Sequence, residues 1–355
     1  MAMNPLTLRK LKRFKAIKRG YYSAILLVIL TVLSLLAELM VSDRALFVSY
    51  QGEWHFPTYG DVELGSTYGL TGAAAVSPVN YAELQRAFEG TDNVVIMPII
   101  PWGPYTNDTF EGVLKSQPPN ADREHYLGTD TTGRDVLSRL VYGFRTAIFF
   151  AFAFTILTYL IGVTIGCAMG YFGGLFDLIF QRLIEIWSNI PFLYMVIIVF
   201  SVIPSTFSTP TRIGILLSIM VLFSWTSLTY YMRTETYKEK ARDYTSAALV
   251  LGAGTARVLF KHILPNTIAT MMTFVPFTVV SAITAITALD FLGWGLPPPT
   301  PSIGELLKQG TANLTTAPWI VTSAFAALVA ILALVTFIGE AVREAFDPRK
   351  FTLYR

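Results

Sequence analysis

Long apolar runs separated by short polar stretches dominate the chain. Six stand out, at about 21–41, 145–170, 179–203, 213–232, 266–290 and 318–341. Each is long enough to cross roughly 30 Å of hydrocarbon as a helix with some tilt. A bilayer offers no water to backbone N–H and C=O groups, so these runs are expected to be helical. The third run is the least uniform, because Glu185, Asn189 and Pro191 interrupt its first half. The expected class is an all-α integral membrane protein of six transmembrane helices.

Composition supports a lipid environment. The 355 residues are 53% hydrophobic and only 14% charged, against roughly a quarter charged in soluble domains. A soluble enzyme with one anchor does not fit so many separate runs. The basic stretch ahead of the first run has the look of a signal peptide. However, no small-residue cleavage site follows 21–41, so it is expected to be retained. Cys167 is the sole cysteine, which excludes an internal disulfide.

Charge placement gives orientation. Arg9, Lys10, Lys12, Arg13, Lys15, Lys18 and Arg19 precede the first run with no acidic residue among them. The positive-inside rule then puts 1–20 in the cytoplasm. Six crossings return 342–355 to the same side, where Arg343, Arg349, Lys350 and Arg355 agree. Arg233, Lys238, Lys240, Arg242, Arg257 and Lys261 mark the loop 233–265 as cytoplasmic too. The exported segment is 42–144, ahead of a permease-like core at 145–341. From Asp43 to Glu124 it holds eleven acidic residues against Arg44, Arg86, Lys115 and Arg123. It is rich in Gly, Pro, Tyr and Trp, and 81–89 reads as a short helix.

The loop 233–265 carries the most information. Lys238, Glu239, Lys240 and Ala241 favour helix, and no proline intervenes, so 236–251 reads as one helix. Gly252 and Gly254 can take the backbone angles a break needs. A second helical stretch follows over 257–262, and Pro265 sits where the fifth span begins. The product is a helix–turn–helix along the membrane face, with Ala247 and Ala248 offering a small surface to another protein.

This stretch resembles the cytoplasmic "EAA" loop of ABC-importer permeases: Glu-Ala-Ala, three residues, Gly, nine residues, an aliphatic residue, one residue, Leu-Pro. Ala247, Ala248, Gly252, Leu264 and Pro265 fall on that spacing. Ser246 replaces the Glu and His262 the aliphatic residue, although the ending through Asn266 is similar to the peptide-permease branch. The segment 125–139, Gly170-Tyr-Phe-Gly-Gly-Leu-Phe-Asp177, Asp290-Phe-Leu-Gly-Trp-Gly-Leu296 and 339–348 resemble the second subunit of dipeptide and oligopeptide permeases. The exported segment, with Tyr50-Gln-Gly-Glu-Trp-His-Phe-Pro57, is similar to the YejE-type branch associated with peptide and microcin C-like uptake.

The resemblance implies a type I importer permease whose 244–252 helix docks on an ATPase. Asp243, Tyr244, Ala247, Ala248, Gly252, Ala253, Leu264 and Pro265 would form the coupling surface. It implies a second permease subunit, two ATPases or one fused ATPase, and a periplasmic solute-binding protein. The chain itself would hold no cofactor and no catalytic site, ATP and Mg being bound by the ATPases. Its place would be the bacterial inner membrane.

The remaining signals are weaker. Gly128-Thr-Asp-Thr-Thr-Gly133-Arg134-Asp135 nearly fits a phosphate-binding loop, yet it lacks the Lys and hydroxyl that phosphate and magnesium need. Gly162, Gly166 and Gly170 recur every fourth residue, a spacing for close helix packing within this chain or against a partner. Glu185 lies three residues after Arg182, the spacing of a local ion pair, and as an ionisable residue at membrane depth it is also a candidate pathway residue. Asp290 sits at the outer end of span five, as a support for the outer loop or a pathway residue. The run 296–301 is expected to break helix between spans five and six. His55, His125 and His262 are scattered without ligand spacing. An ion-coupled transporter would show inverted repeats and more intramembrane charge.

Overall fold

The computed structural model describes residues 5–109, 112, 115–204 and 206–346. Arg349, Lys350 and Arg355, and the end of the 339–348 motif, lie outside the described residues. The helices are α1 Pro5–Ala16, α2 Lys18–Leu35, α3 Ala37–Met40, α4 Tyr81–Ala87, α5 Val136–Phe172, α6 Gly174–Ser188 and α7 Phe192–Val202. There follow α8 Thr209–Lys240, α9 Asp243–Val250, α10 Thr255–Arg257, α11 Leu264–Met271, α12 Val275–Leu292, α13 Ile303–Ala312 and α14 Pro318–Phe346. By length and composition, five helices are able to cross a membrane, or six if α6 and α7 count as one span bent by 73°.

The apolar runs therefore mark the spans but not their ends. The second expected span, 145–170, is the middle of α5, which starts nine residues earlier at a capped turn. There the Asp135 side chain accepts from Ser138 N at 2.6 Å, satisfying an orphan N–H. The fourth, 213–232, runs on into the polar 233–240 as α8. The fifth is divided between α11 and α12.

In the segment 42–144, strands join the helices. The segment holds a three-stranded antiparallel sheet of order β2-β1-β3, formed by β1 Phe47–Tyr50, β2 Glu53–His55 and β3 Val94–Ile96. Val48 pairs with His55 on one side and Val95 on the other. Gln51 and Gly52 turn the hairpin with φ of 50° and 86°, the two positive values of a tight two-residue turn. One sheet face, through Val48 and Val95, joins Ala45, Tyr68, Tyr81, Leu84 and Phe88 in a small core of its own. Glu63 accepts from Tyr81 at 3.0 Å and from Tyr68, and pairs with His55 Nδ1 at 3.0 Å. The expected helix at 81–89 is α4.

In the bundle, α5 and α8 lie closest. A Cβ on Gly166 would come within 2.5 Å of the Thr229 carbonyl, and one on Gly170 within 2.6 Å of the Arg233 carbonyl. Gly162 faces Leu228. The glycine stripe packs α5 against α8 within this chain. The large core spans α5, α7, α8, α12, α13 and α14, including Ile148, Val196, Leu216, Ile283, Leu306 and Ile331. Arg19 pairs with Glu340 at 3.0 Å, and Lys10 lies over the Phe346 ring. Gly339 faces Pro276 and Phe277, and Phe274 stacks on Tyr231 of α8, so α1, the end of α14 and the end of α8 share one end of the bundle.

At the opposite end, the turn 128–135 is fastened to α13. Asp130 accepts from Arg134 Nε at 2.8 Å and from Thr132 N at 2.8 Å. Arg134 and the fully buried Arg139 both reach Glu305, and Arg139 also donates to the Pro104 carbonyl at 3.0 Å. Gln309 accepts from Thr131 Oγ1 at 2.8 Å. Burial works to raise the Asp130 carboxyl, but the charge and hydrogen bonds of Arg134 outweigh it and hold it below the usual carboxylate range. The pair therefore stabilises the fold at ordinary pH and is lost only as pH falls through that lowered value. The glycines that mimic a phosphate loop thus turn the chain around an internal ion pair.

Removing Arg139 leaves Arg134 to match both Glu305 and the buried Asp130. Arg139→Ala should cost about 3–5 kcal/mol, seen as a lower thermal unfolding midpoint in detergent, whereas Glu305→Gln in the same background should recover part of it. An unchanged midpoint for Arg139→Ala would show that the network contributes nothing.

Candidate coupling hairpin

Lys240 ends α8, and the chain bends at Ala241 and Arg242 before α9. The helix expected over 236–251 is thus interrupted, for a reason the sequence hides. Thr245, fully buried, donates its hydroxyl to the Glu239 carbonyl at 2.8 Å. Its own N–H and that of Ser246 go to the Arg242 carbonyl at 3.0 and 3.2 Å. A threonine that bonds backwards into the previous turn competes with helix continuation.

The other end of α9 closes on glycine. Ala253 N donates to the Ala248 carbonyl and Gly252 N to the Leu249 carbonyl, both at 3.0 Å. Gly252 has φ +79°. These paired bonds form a Schellman cap, with Gly at the left-handed position and small residues in contact across it. The spacing Ala248, Gly252, Ala253 is the chemistry of that cap. Gly254 keeps an ordinary φ of −68° and needs no special conformation. Ala247 is exposed, but Ala248 is 9% exposed. The small surface expected from the pair is therefore half internal, because consecutive helical residues point about 100° apart.

The returning arm, α10, a π-helical stretch Val258–Ile263 and α11, runs without interruption through Pro265. Pro265 sits in the first turn of α11, at the start of the fifth apolar run, with the wider π turn directly ahead of it. Such a widening accommodates a residue that cannot donate a backbone bond. Leu264 packs with Met232, Met271 and Leu228 under the hairpin. The two arms are cross-tied: the Tyr244 hydroxyl donates to Glu239, and Asn266 Nδ2 donates to Tyr244 Oη at 3.1 Å and to the His262 carbonyl at 2.9 Å. Burial and the bond to Glu239 push the Tyr244 phenol above its ordinary value, so it remains a donor. Asp243 lies in the first turn of α9.

What projects is apolar. Val250 is 88% exposed, Leu251 86% and Phe260 70%. The hairpin is joined to the bundle by a polar clamp absent from the sequence-based site. Asp177 at the start of α6 accepts from Arg233 at 2.5 and 2.6 Å and from Tyr237 Oη at 3.0 Å. Lys240 Nζ donates to the Tyr171 carbonyl at 2.6 Å. The quoted motif 170–177 contained Asp177, but nothing in its spacing names Arg233 as the partner.

The other expected residues lie apart. Gly162, Gly166 and Gly170 support α8 from below. Glu185 pairs with Arg182 at 2.5 Å on the chain's surface. Asp290 accepts from Leu296 N at 2.6 Å and from the Ser302 hydroxyl, bridging the two ends of the proline-rich connection. Among the described residues, no group of three His, Cys, Asp or Glu side chains is arranged to hold a metal ion.

Residues 162–352 match the family model of the binding-protein-dependent transport system inner membrane component. The chain is 38% identical over 366 residues to the peptidoglycan transport system permease protein YejE of Agrobacterium fabrum, covering 98% of this chain and 94% of that one. It is also 38% identical to the inner membrane ABC transporter permease protein YejE of Escherichia coli, covering 98% of both. The dipeptide transport system permease protein DppC of Haemophilus influenzae is 34% identical over 225 residues, 63% of this chain and 74% of its own.

A Cβ at Gly252 would meet no atom within 4 Å, so the cost of a side chain there is backbone strain alone. Gly252→Ala should cost about 1–2 kcal/mol locally, read as faster hydrogen exchange at the 252 and 253 amides. Gly254→Ala should leave those amides unchanged. Equal protection in both variants would remove the case for the cap.

Proposed function

The chain belongs to the family of binding-protein-dependent transport system inner membrane components, and on that premise we propose that it forms half of an inward pathway for peptides or peptide-like compounds. It is a multi-pass inner-membrane permease of an ABC transporter, a subunit without chemistry of its own. Such a permease works with ATPase and binding-protein partners. The finer assembly, a second permease, two ATPases or one fused, and a periplasmic binding protein, is our reading. Peptide transport is supported by the names of the dipeptide and oligopeptide relatives.

The observation that carries the coupling role is the capped, cross-tied hairpin with Leu249, Val250, Leu251 and Phe260 projecting from it. An apolar ridge facing water calls for a partner. Its stiff joints to α8 and α11 would turn a displacement of that partner into movement of spans. Nucleotide-driven closure of the ATPases would supply the displacement, since a change in contacts between two states is all that coupling needs. The hairpin end carries Arg9, Lys12, Lys15, Lys238, Arg257 and Lys261, which supports a cytoplasmic hairpin and termini by the positive-inside rule. The sheet-bearing segment then lies in the periplasm.

Gly252→Pro removes both the N–H bonded to Leu249 and the left-handed φ. Ala248→Trp forces a large ring into a buried position. Both should reduce labelled-peptide uptake to background, and abolish stimulation of ATP turnover by loaded binding protein, with the chain still inserted in the membrane. Normal uptake by either variant would contradict the docking role.

A further inference from the structure

Between α6 and α7, residues 189–191 leave the helical path and the axis turns by 73°. Two contacts set the depth of this break. Asp177 is clamped to Arg233, and Trp187 Nε1 donates to the Leu222 carbonyl at 2.7 Å. Asp177 and Trp187 are about 15 Å apart along α6, and Arg233 and Leu222 about 16 Å apart along α8. With the ion pair at the inner edge of about 30 Å of hydrocarbon, the break lies near the middle of the membrane.

That is a place where lipid does not tolerate it. The carbonyls of Ser188, Asn189 and Ile190 accept no backbone bond among the described residues. The start of α7 has no side-chain cap. The exposed Asn189 donates its Nδ2 to the Glu185 carbonyl at 2.6 Å, and its Oδ1 is not used in that bond. One turn earlier, the side chains of Arg182 and Glu185 are 75% and 47% exposed. Only Asp177 and Ile184 of α6 are buried in this chain. Bare carbonyls at mid-membrane, and an open ion pair within the hydrocarbon, occur only where protein or a water-filled cavity covers them. A dry protein cover would strand these acceptors without donors, at a penalty for each. Water, or a solute carrying N–H groups, satisfies them.

Resting on the reading of this chain as half of a peptide pathway, we infer that the turn 185–191 lines the aqueous route and is a contact site for solute. Its acceptors are the Glu185 carboxylate, Asn189 Oδ1 and the carbonyls of residues 188–190. They suit a ligand that is rich in donors, namely the ammonium and backbone N–H groups of a peptide. Backbone donors are common to all peptides, so such a site discriminates little between side chains.

The test uses the assembled transporter in membrane vesicles, with Cys167→Ser as background and single cysteines at Asn189→Cys, Ser188→Cys and Phe325→Cys. Phe325 is 60% exposed within α14, a run without charge at that level. A charged, membrane-impermeant methanethiosulfonate should modify Asn189→Cys and Ser188→Cys at least about tenfold faster than Phe325→Cys, as water access at mid-membrane requires. Saturating peptide should slow both reactions. Rates as low as that of Phe325→Cys in every nucleotide state would overturn the inference, and so would fast reactions indifferent to peptide. Labelling without peptide needs no turnover, so water access is read separately from uptake. Fast labelling indifferent to peptide overturns the contact site where peptide uptake is normal, and counts against the transport reading where uptake is absent too.

Discussion

A hairpin in water can move helices in lipid only if the joint between them does not bend. Three devices stiffen that joint here: the Schellman cap at Gly252, the Tyr244–Asn266 cross-tie, and the Asp177–Arg233 clamp beneath them. Each uses short polar groups where water begins, and hands over to the packing of Met232, Met271 and Cys167 where it ends. The glycine stripe of α5 then lets α8 lie against it backbone to side chain. A push on the hairpin is thereby carried by two spans rather than one.

The far end of the bundle is organised by the same rule with different parts. Arg139, fully buried, is matched by Glu305, Asp130 and the Pro104 carbonyl, because an unmatched guanidinium there would be very costly. This fastens the sheet-bearing segment to α13 and makes the outer connection part of the bundle. Between two rigid ends, the bend at 189–191 interrupts the helical backbone within the α6–α7 span.

Much of this was legible in the sequence for physical reasons. Spans announce themselves because lipid admits few polar residues, and the EAA-like spacing survives because a helix cap fixes Ala248, Gly252 and Ala253 relative to one another. Span ends were misjudged where helix continues into water, as in α8, since hydropathy reports the solvent and not the backbone. The break at Ala241 and Arg242 depends on one threonine hydroxyl, and Arg233 meets Asp177 from 56 residues away. Neither leaves a local pattern. The sheet was missed because Gln51-Gly52 is a weaker turn signal than Asn-Gly, and its strands are only three or four residues long.

The central claim is that the ridge at Leu251 is where an ATP-driven subunit grips this chain. A photo-crosslinking residue placed at Leu251 in the assembled transporter measures that directly, with the captured subunit identified by mass and by its binding of labelled ATP. A crosslink to the ATPase is expected, its yield changing between nucleotide-free and ATP-bound states. Crosslinks to lipid alone, in a transporter that still takes up peptide, would contradict that claim.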